Sequence, residues 1–437
     1  MRHKKCKLTT FHCKTVLFFT LEKTPSGMWT KPRLLEYIAK CLETMIAFLT
    51  KGECPHFIVE GVDLFDGKLC RECQVCLKEA IKVMIQDDMH VLFHIHIDDL
   101  GRRLLEPSCE VGRGPGEDVN ARICGKLVHD MFGVYMKCLK TICFKLCNDS
   151  KGEFETRLIN KLTNLQSHET EVRDDHRKSF FIRFLLKNLL SIKASVVSSH
   201  NTQTGQPIPQ NVLTMYEESL HSDVTSGKLK LASMLYCQGE LERAASLLHE
   251  VELVFDRSVQ PVCGCGRTPY NNELSDAFCE YMLQNDDPET WTNRLAFCVM
   301  FLREEKMCVP QFLWTEMHRA VGDNFDHRSC HERQWMDWAE VDARVFLLYL
   351  QYLTFRDLRD RHKQQEAFAG LQYISSSHEE WNKLYHGETF DNLLGHCYEL
   401  EGNVQQALHM YRLSQRYMSR NNAANHHIAR LETDVNQ

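Results

Sequence analysis

No stretch of this 437-residue sequence holds an apolar run approaching the roughly 18 residues that cross a bilayer, so no membrane span is expected. The basic opening at residues 1–7 leads into an apolar run that is short and lacks a small-residue cleavage site, which argues against a secretory leader. The 20 cysteines are therefore read as reduced thiols of a cytoplasmic or nuclear protein. Many fall at helical core spacing, as Cys143 and Cys147 do, with Cys138 just upstream of them, where a free thiol behaves as a small hydrophobe. Strand-like alternation is also scarce. The segment 91–97 is the one candidate, and its flanks favour helix. The loop at 112–116 lacks the Lys-Ser/Thr that follows a phosphate-binding loop, and the His331-Glu332 pair lacks the second His of a zincin. With 22 His and 20 Cys, no Ser-His-Asp or Cys-His set stands above coincidence.

What is present is helical periodicity from end to end. Hydrophobic residues at 43% and charged residues at 25% match a globular chain, and the length suits two or three domains. The net charge of −7 argues against a nucleic-acid binder. Residues 1–50 nevertheless carry nine Lys or Arg against three Glu, a +6 end that suits a phosphate-bearing ligand or a solvated basic face. Thr30 and Pro32 read as the cap and first turn of a helix whose apolar positions Leu34, Leu35, Ile38, Cys41, Leu42, Met45, Phe48 and Leu49 share one face. Lys51-Gly52 supplies its stop. A non-helical bridge follows over 54–68, then helices over 69–86, 119–147, 154–166 and 170–194, with a loop at 112–118. The polar, two-proline stretch 198–211 reads as an interdomain linker that a protease should cut first. Beyond it helices resume, broken by loops at 263–272 and 323–329. The expected division is 1–105, a connecting region 106–197, the linker, and a helical domain 212–437.

Two stretches of that last domain repeat each other. Residues 231–251 align with 393–414 through Gly239 with Gly402, Ala244 with Ala407 and Leu248 with Tyr411. Each is a helix, a Gly turn, and a second helix opening on a small residue that permits close approach. The pattern resembles the tetratricopeptide repeat, best at Leu394, Gly395, Tyr398, Gly402, Ala407 and Tyr411. A weaker third unit spans 345–374, with Ala367 and Leu371 in the matching places.

Metal-ligand patterns are weak. Cys70, Cys73 and Cys76 lie three apart, a drifting helical stripe rather than a tetrahedral set. Cys263 and Cys265 could hold a metal only with distant partners. His327 and His331 share a helical face, and His94, His96 and Asp98 share a face only in a strand. No cofactor and no metal is called for.

Thr10-Phe11-His12-Cys13-Lys14-Thr15 opening a helix, then Trp29, then His56-Phe57-Ile58 and Asp63-Leu64-Phe65, form an ordered series. Over residues 8–90 it resembles the C-terminal helix-hairpin-helix, or H2TH-like, lobe of the male-abnormal-21-like family, which includes cyclic GMP-AMP synthase. His56 departs from the aromatic usual at its place. The stretches 393–414 and 421–427 also look like the helical extension of long invertebrate members. The resemblance implies a nucleotidyltransferase core ahead of this lobe, and the sequence here does not contain it. That chemistry needs clustered carboxylates holding two metals, yet residues 1–21 contain no Asp or Glu, and Glu153 and Glu155 lie in a helical pattern without flanking strands. The resemblance also implies that Phe11 stacks on a nucleobase, that Thr10 reaches the ligand and that Lys14 faces its phosphate. The plainer alternative is a helix cap followed by a packing Phe11.

The expectation is thus an all-α protein, a partial male-abnormal-21-like lobe followed by a tetratricopeptide-like array. Its expected role is that of a non-catalytic cytoplasmic interaction protein, with a protein or peptide partner on the array and residual nucleotide binding at most. The alternative is the ligand-sensing half of an innate immune nucleotidyltransferase whose catalytic core is missing from this chain.

Overall fold

The computed structural model describes residues 8–25, 33–86, 115–148, 153–172, 175–267, 269–319 and 336–435. The chain is all-α; among the described residues, four three-residue strands are set between the helices. No helix among the described residues is long and apolar enough to cross a membrane. Thr30, Trp29, the 91–97 segment, the 323–329 loop, His327 and His331 lie outside the described residues, as does the expected boundary at 105. The described residues fall into two compact units. One runs to Leu127 and takes in Cys279–Asp286; the other comprises Val128–Phe278 and the residues from Asp287 on.

The first unit is built on α1 (Thr10–Lys23), α2 (Leu34–Lys51) and α3 (Arg71–Gln86). Val16, Met45, Leu49, Cys54, Leu64, Phe65, Leu69 and Ile81 form its core. Helix α2 stops at Gly52, which takes a left-handed φ of 86° so that its N–H can reach the Phe48 carbonyl at 2.8 Å. The bridge after it is pinned by Asp63, whose carboxylate accepts from the N–H groups of Cys54 (2.8 Å) and Phe65 (3.0 Å).

Helix α4 (Pro115–Asn148) begins inside the stretch read as a loop at 112–118 and crosses the boundary between the units. In the second unit, α5 (Phe154–Glu171), α6 (His176–Gln203) and α7 (Gln210–Ser219) precede the hairpins. The supposed linker at 198–211 is corrected by α6, which runs to Gln203 with Ser198 and Ser199 buried. Only a short turn separates it from α7, and Ala194, Val212 and Tyr216 share one core with Met234, Leu235 and Ala244. Polar composition misled because the buried serines satisfy the helix spacing without looking apolar; the Ser199 hydroxyl, for instance, accepts from the Met307 N–H at 3.1 Å.

Three helical hairpins follow: α8 (Ser226–Cys237) with α9 (Leu241–Val254), α12 (Ala343–Asp357) with α13 (Arg361–Ser376), and α15 (Gly387–Leu400) with α16 (Val404–Tyr417). Between the first and second lie α10 (Asp276–Gln284) and α11 (Pro288–Trp291); α14 (His378–Asn382) precedes the third, and α17 (Ala424–Val435) follows it. Helix α12 is buried nearly all round, through Val345, Phe346, Tyr349, Leu350, Tyr352 and Leu353. Its core is shared with Leu248 and Val251 of α9 and with Leu393, Leu394 and Cys397 of α15.

The three turns are the same structure. The N–H groups of Glu240, Asp360 and Asn403 each reach back five residues, to the carbonyls of Leu235 (2.9 Å), Phe355 (2.9 Å) and Tyr398 (2.8 Å). The preceding residue is left-handed in each: Gly239 at φ 76°, Arg359 at φ 61°, Gly402 at φ 79°. Counting from this turn puts Gln364 and Phe368, not Ala367 and Leu371, at the places of Ala244/Leu248 and Ala407/Tyr411. The sequence alignment of the third unit slipped because Arg359 hides the glycine signal. Gly402→Ala is expected to cost about 1–2 kcal/mol, the penalty of a side chain in the left-handed region, whereas Arg359→Gly is expected to stabilise by about 0.5 kcal/mol once glycine's unfolded-state entropy is offset. Denaturant midpoints of the two variants check the opposite signs.

The strands were not legible. β1 (Gln260–Val262) pairs in parallel with β2 (Leu295–Phe297), and β3 (Val299–Phe301) pairs antiparallel with β4 (Ala339–Val341). β2, β3 and β4 are buried at every position, so no alternation betrays them.

Candidate functional site

Two places carry candidate chemistry. The first is the start of α1. Here the six-residue motif divides into two faces. His12 is fully buried: the Thr9 N–H donates to Nδ1 at 3.0 Å, which leaves the proton on Nε2 to donate to the Leu64 carbonyl at 3.0 Å. Thr15 is buried as well. Thr10, Phe11 and Lys14 are exposed, and the Phe11 ring lies 5.4 Å from that of His56. The cap is Thr9. His12 therefore staples α1 to the bridge, while the three residues singled out by resemblance share solvent. Phe11→Ala is expected to change stability by less than about 0.5 kcal/mol, and His12→Ala to cost about 1–3 kcal/mol by orphaning the Leu64 carbonyl. Chemical denaturation of both variants tests the division.

Among the described residues, no other sequence candidates converge as a metal-ligand set. Glu153 and Glu155 are exposed at the first turn of α5, where negative charge suits the helix end. The Cys70 and Cys73 sulfurs lie 3.2 Å apart, with Cys76 exposed.

Cys263 and Cys265 are different. They follow β1 in a Cys-Gly-Cys loop that presses on α4. A Cβ on Gly264 would stand 2.5 Å from the Met136 carbonyl carbon and 2.6 Å from the Lys137 nitrogen, so only glycine permits the approach. The Cys263 Sγ lies 3.3 Å from His386 Nε2 and 3.3 Å from Glu340 Oε1. Glu340 sits in β4, and His386 immediately precedes α15. Lys140 of α4 completes the group. Its Nζ pairs with Glu340 Oε1 and lies 3.6 Å from Cys263 Sγ. Glu340 and His386 are fully buried, and Lys140, Cys263 and Cys265 nearly so.

Burial works to neutralise the Glu340 carboxyl, but the Lys140 and His386 charges overcome it and hold the group below the usual carboxylate range. Burial likewise opposes a charged His386, and the neighbouring Glu340 outweighs it. The Cys263 thiol is pushed up to about 12, chiefly by burial. Asp342 fixes the segment: its two oxygens accept from the N–H groups of Tyr385 (3.1 Å) and His386 (2.9 Å). A second buried set adjoins it, where Glu388 takes both Arg267 (2.8 Å) and Arg319 (3.5 Å).

The ligand atoms of Cys263, Cys265 and His386 all lie within 4.8 Å of one another. The sequence pointed to the two cysteines but not to their partners. His386 is 123 residues away and Glu340 is 77, and neither has a local motif around it. Glu340 is placed by the pairing of β4 with β3, and His386 by the bond of its N–H to Asp342 just after β4.

Residues 1–82 match the Mab-21 protein HhH/H2TH-like domain, which takes in α1, α2 and most of α3 and supports the resemblance for that part of the chain. No solved structure matches the chain.

Proposed function

We propose, with a Mab-21-type helical domain at the N-terminus as the premise, that this chain is a non-catalytic cytoplasmic interaction protein. Its working part is the series of three hairpins, a tetratricopeptide-like scaffold whose exposed surface takes a protein or peptide partner. The observation that carries the reading is the identity of the three turns, with the same five-residue hydrogen bond and a left-handed residue at the same position. Stacked two-helix units of this kind bury a continuous core and leave a free face, and they serve mainly in binding. The buried carboxylates add support. Glu305, Glu316, Glu340 and Glu388 each face a Lys or Arg, the arrangement of structural ion pairs and not of a shared two-metal site. Purified chain incubated with ATP, GTP, magnesium or manganese and nucleic acid is expected to yield no linked nucleotide. A product abolished by mutating residues of this chain would overturn the reading.

A second reading is favoured by the exposed apolar side chains of the first unit. Leu17, Phe18 and Leu21 of α1, with Ile58 and Val59 of the bridge, stand in solvent, Ile58 at 81% exposure. Such a face suits the ligand-sensing half of a larger nucleotidyltransferase whose catalytic core would cover it. Residual nucleotide binding would then rest on Phe11, with Thr10 and Lys14 beside it. Calorimetry should lose about 1–3 kcal/mol per stacked base on Phe11→Ala. Equal binding by both proteins would dismiss it.

A further inference from the structure

We propose that Cys263, Cys265 and His386 bind one zinc ion, which joins the loop after β1 to the start of α15. Three ligand atoms of the two soft types that zinc prefers converge within 4.8 Å of one another, in a fully protein-lined setting. With Zn–S bonds of about 2.3 Å and Zn–N bonds of about 2.0 Å, ligand atoms along a tetrahedral edge stand roughly 3.5 Å apart. The Cys263 Sγ to His386 Nε2 separation of 3.3 Å is close to that edge. A thiol–imidazole hydrogen bond would account for one such pair but not for a third ligand in the same place.

Glu340 Oε1 lies 3.3 Å from Cys263 Sγ and 3.6 Å from His386 Nε2 but is outside the set of atoms that converge within 4.8 Å, and it stays paired with Lys140 beside the centre. Two thiolates balance the divalent ion, so the centre adds no net charge to the buried Lys140–Glu340 pair. The remaining nearby thiol, Cys298, is turned toward Asp342, with its Sγ 3.8 Å from Oδ1.

The surroundings are those of an ordered centre. The Cys265 N–H donates to Cys263 Sγ at 3.2 Å, a bond that orients a ligating sulfur. Asp342 holds the backbone of Tyr385 and His386 and so sets the imidazole. Gly264 lets the loop seat directly on α4. The thiols bind as thiolates and give their protons to solvent. The consequence is mechanical: two segments more than a hundred residues apart in sequence become one cross-linked support for the third hairpin.

The test uses the full chain, purified without chelator and dialysed against metal-free buffer. Elemental mass spectrometry is expected to find one zinc per chain. Exchange for cobalt(II) should give thiolate-to-metal charge-transfer absorption together with tetrahedral ligand-field bands. Cys265→Ser should weaken zinc binding roughly 100-fold or more, while Cys13→Ser, at an exposed thiol of α1, leaves it unchanged. Circular dichroism confirms that each variant is folded, and the wild-type cobalt spectrum stands whether or not a variant folds. Wild-type chain that takes up neither ion would overturn the proposal, as would a cobalt spectrum without thiolate absorption or a folded Cys265→Ser protein that binds zinc as tightly as wild type.

Discussion

Lys230→Met is expected to destabilise the second unit by about 3–5 kcal/mol, the cost of leaving a buried charge without its counter-ion. Lys230 lies on α8, and its Nζ forms an ion pair with Glu305 Oε1 at 2.6 Å, with the side chains 7% and 0% exposed. The other Glu305 oxygen accepts from the Leu302 N–H at 2.7 Å, so the carboxylate is held in place when its cation goes. The same carboxylate helps burial push the nearby Cys308 thiol up to about 12, a sign of how strongly the negative charge is felt there. Most of the loss should return in the double variant Lys230→Met/Glu305→Gln, in which the introduced amide oxygen would still accept from the Leu302 N–H. Urea denaturation at constant m-value measures both. A single-variant loss below about 1 kcal/mol would show that the pair is not buried in solution.

Acid should act on a different feature, a stack of three rings. Phe312 lies between His396, at 4.1 Å and 11° between planes, and His427, at 4.2 Å and 12°. The Tyr349 hydroxyl lies 2.8 Å from His396 Nδ1, within hydrogen-bonding distance. Burial pushes both histidines down to about 3, with Arg430 near each of them adding to the effect. Their folded values lie below the ordinary 6.5, so the unfolded chain binds protons first as pH falls. The stability they contribute is complete above about pH 6.5 and is lost progressively toward about pH 3. Asp391 runs the other way, because burial pushes its carboxyl up to about 8 and acid therefore favours its folded form. The histidine contribution must accordingly be read as a difference. His427→Phe keeps a ring on Phe312 but does not titrate. Relative to wild type it should gain about 2–3 kcal/mol between pH 6.5 and pH 4.5. A difference that stays constant with pH would place His427 in contact with water.

How much of this could be read from residues alone follows the range of the signal. The stop of α2 at Gly52 was legible, because a cation and a left-handed glycine act within one turn. The first and third hairpins were legible for the same reason, through Gly239 and Gly402. The second was misaligned because Arg359 adopts the same left-handed geometry without being a glycine. Ser199 looked like part of a linker because the partner of its hydroxyl, the Met307 N–H, is more than a hundred residues away. The N-terminal motif was found, but not its division: only tertiary structure shows that His12 binds the Leu64 carbonyl, 52 residues on, while Phe11 faces solvent. Cys263 and Cys265 were visible as a pair. His386, Glu340 and Lys140 were not, since they come from the residue before α15, a three-residue strand and α4, each far away in sequence and without a local motif.

If the hairpin series is the working surface, a bound partner must be found there. The direct measurement is cross-linking and hydrogen-exchange mass spectrometry of the full chain with a partner recovered from its native extract. Cross-links and new amide protection are expected on α8–α9, α12–α13 and α15–α16, with α1 unchanged. Protection confined to α1 and the bridge at 54–68, with the three hairpins unaffected, would contradict the assignment and move the binding function to the N-terminal domain.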